Sequence, residues 1–447
     1  MTELIPSFGG FAFTLLAFVV ALSIIVAIHE YGHYIIGRLS GIRAEVFSLG
    51  FGPVLVSRVD KHGTRWQLAA LPFGGYVKFL GDSDAASGKD GAAMSHLSDA
   101  DRRMTMHGAP LWARSATVAA GPVFNFILSI LIFGALFFAR GDVAYPLTVD
   151  QMRPLPPSYA QLEQGDQVLR IGGVPLPEDE TASFDGFDEA LPREKALDYD
   201  IIRGGSEMTV PGPYPYPPLI TQLAPNSAAY DIGLKVGDVI ETIDGTEIFA
   251  FEQLKDRVEA SNGAPLALTV WREGVADPLD FVLAPRRVDE PQAEGGFRTE
   301  WRIGIAGGMA FEPGTESVGP LAALSNGVST TWRIAESSIS GLYHMITGAI
   351  STCNMTGPIG IAQTSGAMAS QGAVSFIWFV AALSTAVGLL NLFPIPVLDG
   401  GHLVFFGYEA IAGKPPSDNA LRILMGAGLT LILSVMIFAL TNDVFCP

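Results

Sequence analysis

Charge is scarce in this chain. Of 447 residues only 16% are charged and 49% are hydrophobic, against ~25% charged in an ordinary soluble chain. Basic residues are scarcer still: 27 Lys and Arg face 45 Asp and Glu, a formal net charge of −18. That excludes a nucleic-acid binder, whose affinity comes from cations set against phosphates. The two cysteines, Cys353 and Cys446, exclude a disulfide scaffold and a cysteine-ligated zinc finger. Whether those two pair is not decided by the sequence. The apolar content excludes disorder, and the length corresponds to about three units at ~100–200 residues each. What remains is a membrane protein carrying an acidic soluble part.

The few charges are unevenly placed. None lies between Glu3 and Glu30, between Arg114 and Arg140, or between Arg422 and Asp443. A fourth apolar stretch, Ala373 to Leu392, sits inside an uncharged run from Ser337 to Leu398. Each is long enough, at roughly 20 residues, to cross the hydrocarbon core as a helix. These patterns predict a polytopic α-helical membrane protein with four transmembrane helices. The first lacks the basic n-region and early small-residue cleavage site of a signal peptide, so it reads as a retained span. Residues 38–114 hold 10 Lys and Arg against 7 Asp and Glu, whereas residues 140–372 hold 15 against 32. Basic residues beside the spans mark the cytoplasmic side. Residues 38–114 and 400–422 are therefore expected inside, with both termini and the acidic middle outside.

The middle contains a repeat. The stretch Leu162–Leu176, with Gly165-Asp166 near its start, recurs 72 residues later as Leu234–Ile248, with Gly237-Asp238. Each copy reads as a Gly-Asp turn, a short alternating strand and a tight Gly-containing turn. A helical stretch follows (184–191 and 251–260), then a strand pair. The two copies resemble tandem PDZ domains of the bacterial kind, which bind extended peptides or chain ends by strand addition. The alternatives are rigid spacers that bind nothing, or a size filter without a peptide ligand.

His29-Glu30-Tyr31-Gly32-His33, an HExxH motif, stands where the first uncharged run stops and is expected at the end of the first membrane helix. On a helix, residues i and i+4 share a face, so both imidazoles can reach one zinc ion while Glu30, about 100° round the helix, can touch a water activated there. Two histidines leave zinc short of the three protein ligands of a catalytic site. The best third ligand is Asp399, in Asn391-Leu-Phe-Pro-Ile-Pro-Val-Leu-Asp399-Gly-Gly-His402. There Pro394 and Pro396 break the third membrane helix, and Gly400-Gly401 are expected to turn the chain. His402 is a rival ligand beyond that turn.

HExxH in one span and NxxPxxxLDGGH in a later one together resemble the site-2 protease family of intramembrane zinc metalloproteases. Gly121-Pro-Val-Phe-Asn125, Leu71-Pro-Phe-Gly-Gly-Tyr-Val-Lys78 and Thr356-Gly-Pro-Ile-Gly-Ile-Ala362 match further family segments. The resemblance implies Zn2+ bound by His29, His33 and Asp399, with Glu30 as general base and Asn391 and Pro394 contacting substrate. It further implies hydrolysis of a peptide bond in or near the span of single-span membrane proteins, such as an anti-sigma factor or remnant signal peptides. It places the chain in a bacterial inner membrane, with the PDZ-like domains periplasmic and the active site near the cytoplasmic side. No nucleic acid is expected as a partner; the lipid bilayer is, and peptide or chain-end ligands suit the PDZ-like copies.

Four strand-like stretches, Ala44–Leu49, Val54–Val59, Arg65–Leu71 and Tyr76–Leu80, fill the first loop. The resemblance implies that they form a re-entrant β-hairpin region near the active site. A mobile loop is expected over Ala85–Ser98. An amphipathic segment, Pro320–Ile350, suits the outer membrane surface, with Trp332 and Tyr343 as anchors. The expected organisation is 1–140 for the first two spans, 141–215 and 216–310 for the two PDZ-like α+β domains, 311–372 for the amphipathic segment and 373–447 for the last two spans. Two other readings keep the fold: a PDZ scaffold with a degenerate metal site, and a transporter, although a transporter predicts a repeat in the membrane part.

Overall fold

The computed structural model describes residues 4–82, 97–156, 161–176, 187–292 and 296–446. Most of the expected loop 85–98 and the start of the expected helix 184–191 lie outside the described residues. The chain divides into two compact units, Met1–Leu136 with Leu321–Tyr343 and Met355–Pro447, and Phe137–Pro320 with His344–Asn354.

The first unit is largely helical because a long apolar run satisfies its backbone groups internally as a helix, and the second span stays helical even through Pro122. Among the described residues, four helices are long and apolar enough to cross a membrane: within α1 (Leu4–Leu39), α2 (Leu111–Arg140), α6 (Ala373–Asn391) and α8 (Asp418–Phe445). Between them lie α4 (Pro320–Ile346), α5 (Pro358–Ser370) and α7 (Asp399–Ala412). The HExxH motif is not at the end of α1, as the charge pattern suggested. The helix continues through Leu39, because the first residue to demand a left-handed backbone is Gly41, at φ +84°. Small residues set the helix contacts. A Cβ on Gly32 would lie 2.5 Å from the Ala120 carbonyl of α2, and one on Gly366 of α5 would clash with Thr14 on α1. On α4, Ala323, Gly327 and Thr331 are buried, and a Cβ on Gly327 would meet the Ile130 carbonyl of α2. Its opposite face leaves Leu321, Val328, Trp332, Ile339 and Tyr343 exposed. Asp443, near the end of α8, caps α5: its carboxylate accepts from the Gly357 amide at 2.7 Å and from the Ile359 amide at 3.0 Å. A carboxylate is favoured there by the helix dipole.

The four strand-like stretches merge into two long strands, β1 (Ala44–Val59) and β2 (Arg65–Phe79). Gly50 and Gly52, at φ +87° and +84°, bend β1, so its halves pair separately. Residues 46–49 pair with both 65–68 and 75–78, whereas 54–59 pair with 65–69. The result is a four-segment mixed sheet, antiparallel except where 46–49 run alongside 65–68, whose outer edges are 54–59 and 75–79. The turn between the strands is held by Asp60, which accepts from the His62 and Thr64 amides, Trp66 Nε1 and the Tyr34 hydroxyl of α1.

In the second unit the repeat is a structural duplication. The first copy contains β3 (Gln167–Ile171), β4 (Val174–Pro175), β5 (Ala196–Arg203) and β6 (Ser206–Pro213) in the order β4-β3-β5-β6. The second contains β7 (Val239–Ile243), β8 (Thr246–Glu247), β9 (Leu266–Trp271) and β10 (Leu279–Leu283) in the order β8-β7-β9-β10. Each sheet is antiparallel and each copy has its own apolar core, around Tyr199 and Ile201 in the first and Ile240 and Val270 in the second. Helix α3 (Phe251–Ala260) follows β8, as expected; its counterpart is described only over Phe187–Ala190.

The copies share a device that the repeat did not reveal. The turn aspartates Asp166 and Asp238 are fully buried. Each accepts the amide of the residue three earlier at 2.8 Å. Each is also gripped by an arginine at the end of the third strand, Arg203 Nε at 2.7 Å and Arg272 Nε at 2.6 Å. Both cysteines are disulfide-bonded.

Burial pushes the Asp166 carboxyl up, but hydrogen bonds from Arg203 and the Glu163 amide outweigh it and hold the carboxyl below its ordinary value. A depressed carboxyl stabilises the fold above its unfolded pKa of ~3.9, and that contribution is lost as pH falls through the folded value. Asp166→Ala is therefore expected to destabilise the first copy by roughly 2–3 kcal/mol. That is less than the ~3–5 of a fully buried pair because Arg203 is partly exposed. Hydrogen exchange of β3 and β5 in the full chain checks this. Unchanged protection at pH 6 would refute the assignment, as would a variant whose acid sensitivity below about pH 4 equals that of the native chain.

Candidate metal centre

His29 and His33 lie one turn apart on α1, with their Nε2 atoms 3.1 Å apart. Asp399 Oδ2 lies 3.2 Å from His29 Nε2 and 3.5 Å from His33 Nε2. The three side chains are only 12%, 12% and 17% exposed. The three ligands expected from the sequence are thus brought together, and His402, the rival, is not among them.

Asp399 arrives there because α6 ends at Asn391 and the backbone restarts as α7 with Asp399 as its first residue. Gly400 and Gly401 do not turn the chain. They are helical and buried in α7, and a Cβ on either would lie 2.3 Å from a carbonyl oxygen, Leu392 or Phe393 for Gly400 and Ile395 for Gly401. The glycines serve close approach of α7 to the broken segment, not a reversal. At its far end α7 is tied to α2 by Arg114 and Glu409, paired through two hydrogen bonds of 2.6 and 3.1 Å.

The surroundings fix the imidazoles. His33 Nδ1 lies 2.9 Å from the Thr117 carbonyl of α2, so Nδ1–H donates there and the Nε2 lone pair is left free. Asn125, fully buried on α2, sets its side-chain amide 3.2 Å from His29 Nδ1, and its Oδ1 has no other partner. The amide orientation in which Oδ1 accepts from Nδ1–H leaves His29 Nε2 free as well. Three electron-pair donors then face one another with no proton between them, and Asp399 Oδ2 is buried without a hydrogen-bond partner. That arrangement fits a divalent cation, and two imidazoles with one carboxylate suit zinc while leaving a position open. Gly121 provides the room: a Cβ there would lie 2.3 Å from His33 Nε2 and 2.8 Å from His29 Cε1. From the sequence, Gly121 and Asn125 stand out as the ends of one family-like segment, in which Asn125 either bonds to the active-site segment or only packs; the room that Gly121 provides is visible only in the structure.

Glu30 sits beside this cluster against the sheet. A Cβ on Gly75 would lie 3.2 Å from Glu30 Cγ, and the Val77 backbone is within hydrogen-bonding reach of its carboxylate. Asn391 donates through Nδ2 to the Val387 carbonyl of its own helix at 3.0 Å, and Pro394 is exposed on the segment joining α6 to α7. Neither touches the three clustered ligands among the described residues.

The profile of peptidase family M50 matches residues 17–435. A protein of Agrobacterium fabrum named a "putative zinc metalloprotease" is 34% identical over 99% of both chains. One of the same printed description from Rhizobium meliloti is 34% identical over 97% of this chain and 96% of its own. The regulator of sigma-E protease RseP of Salmonella typhimurium is 30% identical over 96% of this chain and 98% of its own.

Gly121→Ala is expected to lower bound zinc at least tenfold, because the methyl group occupies the space of His33 Nε2. Asp399→Asn should lose the metal as well, and His402→Ala should keep it. Metal analysis of the purified variants decides. Stoichiometric zinc in Gly121→Ala, or zinc lost from His402→Ala and kept in Asp399→Asn, contradicts this description of the centre.

Proposed function

Because the chain belongs to peptidase family M50, the site-2 proteases, and is a zinc metalloprotease, we propose that it hydrolyses a peptide bond within or near the membrane span of single-span membrane proteins. The observation that carries the reading is the convergence of His29, His33 and Asp399 beside Glu30, at the edge of a β-sheet and among apolar helices. An anti-sigma factor is the favoured substrate class, on the likeness to a regulator of sigma-E protease, with remnant signal peptides as a second.

Zinc, when bound, supplies Lewis acidity that polarises the scissile carbonyl and acidifies water. The side chains do the rest. His29 and His33 are held as neutral ligands by Asn125 and the Thr117 carbonyl. Glu30 takes a proton from the attacking water and returns it to the leaving amine. The edge formed by residues 75–79 pairs with no further strand among the described residues, so it offers backbone partners to an extended substrate next to Glu30. Asn391 and Pro394 border the broken segment from which Asp399 projects, and we assign them to substrate contact.

The duplicated units are read as PDZ domains facing the periplasm, with the active site towards the cytoplasm. The disulfide-bonded state of Cys353 and Cys446 supports an oxidising compartment for both. We assign the pair of units to gating, delaying substrates whose outer domain is intact.

Glu30→Gln should abolish cleavage by more than ~100-fold, as expected for loss of a general base, while retaining zinc. A variant that still cleaves would leave only a membrane scaffold. In intact spheroplasts, an impermeant thiol reagent should label a cysteine placed at Ser261 and not one at Ser87; the reverse pattern overturns the topology. Removing residues 145–305 should permit cleavage of a substrate with its outer domain intact. If the deleted protein cleaves the shortened substrate and still ignores the intact one, gating is wrong.

A further inference from the structure

A second polar site lies at the C-terminal end of α1. A cavity of about 190 Å3 is lined by Tyr34, Arg38, Ile42, Arg43, His62 and Thr64. At ~30 Å3 per water, it has room for a small tetrahedral anion. Its floor is built: Tyr34, Ile42 and Thr64 are 3%, 1% and 2% exposed. Its rim carries two guanidinium groups, and neither Arg38 nor Arg43 has a carboxylate partner among the described residues. Arg38 instead donates to His62 Nε2 at 2.7 Å, and its other N–H groups make no hydrogen bond among the described residues. Arg43 lies over Gly63, where a Cβ would come within 3.4 Å of its guanidinium. The nearest carboxylate in the hydrogen-bond network, Asp60, is already saturated by its four donors, two backbone amides, Trp66 and Tyr34. The Thr64 hydroxyl donates to the Ala44 carbonyl. Two unpaired guanidiniums above a rigid apolar floor are an anion site, and planar N–H forks match phosphate oxygens.

We propose that this cavity binds a phosphate group, clamping it between Arg38 and Arg43. Position favours a phospholipid headgroup. Arg38 is in the last turn of a membrane-crossing helix, next to Leu39, which is 75% exposed, so the cavity lies where an apolar span meets the headgroup layer. An occupant would join three elements: the end of α1, where Arg38 lies five residues beyond His33, the segment 41–44 and the hairpin turn 60–64. The inference does not rest on the protease reading.

The test compares the full-length native chain with Arg38→Gln/Arg43→Gln, and with Arg58→Gln as an exposed arginine outside the cavity. Native mass spectrometry in detergent counts retained lipids with added phosphatidylglycerol or phosphatidylcholine. A parallel melting experiment compares inorganic phosphate with chloride at equal ionic strength. A lipid ligand predicts one phosphatidylglycerol beyond the phosphatidylcholine count in the native chain and in Arg58→Gln, lost at least tenfold in the double variant. A free phosphate ligand predicts a phosphate-specific rise in Tm that the double variant lacks. Zinc content reports whether the double variant is folded. If it is not, Arg43→Lys, which keeps the charge but not the fork, should weaken whichever signal the native chain gives. A native chain that shows neither signal overturns the proposal, as does a folded variant that retains both.

Discussion

The closeness of α1 to α2 is the constraint on which the metal centre depends. At Gly32 the two backbones approach so nearly that even a methyl group would meet the Ala120 carbonyl. Only at that separation can His33 reach the Thr117 carbonyl and Asn125 reach His29. In lipid no hydrophobic force draws helices together, so small residues and interhelical hydrogen bonds decide where they meet. The same helix then fixes its other neighbour. The Asn125 carbonyl accepts from Ser129 of α2 and Ser384 of α6, and Ser129 also donates to the Ala381 carbonyl of α6. One turn of α2 thereby holds the histidines on one side and the helix leading to Asp399 on the other.

The third ligand needs a second constraint, because it follows a chain break. A helix continued past Asn391 would carry Asp399 two turns further along the same axis. Pro394 and Pro396 prevent that continuation. Gly400 and Gly401 let α7 start against the broken segment, and the Arg114–Glu409 pair fastens its other end to α2. Asp399 also occupies the first turn of α7, where the helix dipole favours a carboxylate. Breaking the chain near the middle of a membrane protein exposes backbone groups, which is tolerated where protein lines the gap. Here the gap is lined by α7, by Pro396 and by Gly428 of α8, whose missing side chain leaves room for the proline ring.

What was legible in the sequence was what depends on local periodicity. The four-residue spacing of His29 and His33 gives a shared face on any helix, and uncharged runs give spans whatever their packing. Asp399 was legible because two prolines and a carboxylate in an apolar run have few other uses. Gly400 and Gly401 were misread because a glycine that permits close approach and one that permits a turn look alike until the neighbour is known. The extent of α1 was underestimated because charge marks where a span leaves lipid, not where a helix stops. The strand segments were found, but their merging at Gly50 and Gly52 depends on pairings between residues far apart. The arginine partners of the repeat escaped notice because Arg203 and Arg272 lie 37 and 34 residues after their buried aspartates. An insertion in one copy puts them out of phase.

The position of Glu30 against a sheet edge bears on why such a site sits among membrane helices at all. A substrate helix in hydrocarbon has every backbone group bonded internally, so its peptide bonds are closed to attack. Unwinding it leaves amides and carbonyls bare, at a cost of several kcal/mol each in an apolar medium. A general base and a metal alone do nothing to offset that cost. An unpaired strand edge does, because it offers alternating donors and acceptors at the spacing an extended chain presents. Gly75, with no side chain to stand between the strand and Glu30, brings that edge to the residue proposed as the base. The carboxylate is thus adjacent to the place where an unwound segment would be held, and proximity of that kind is itself a large part of lowering a barrier.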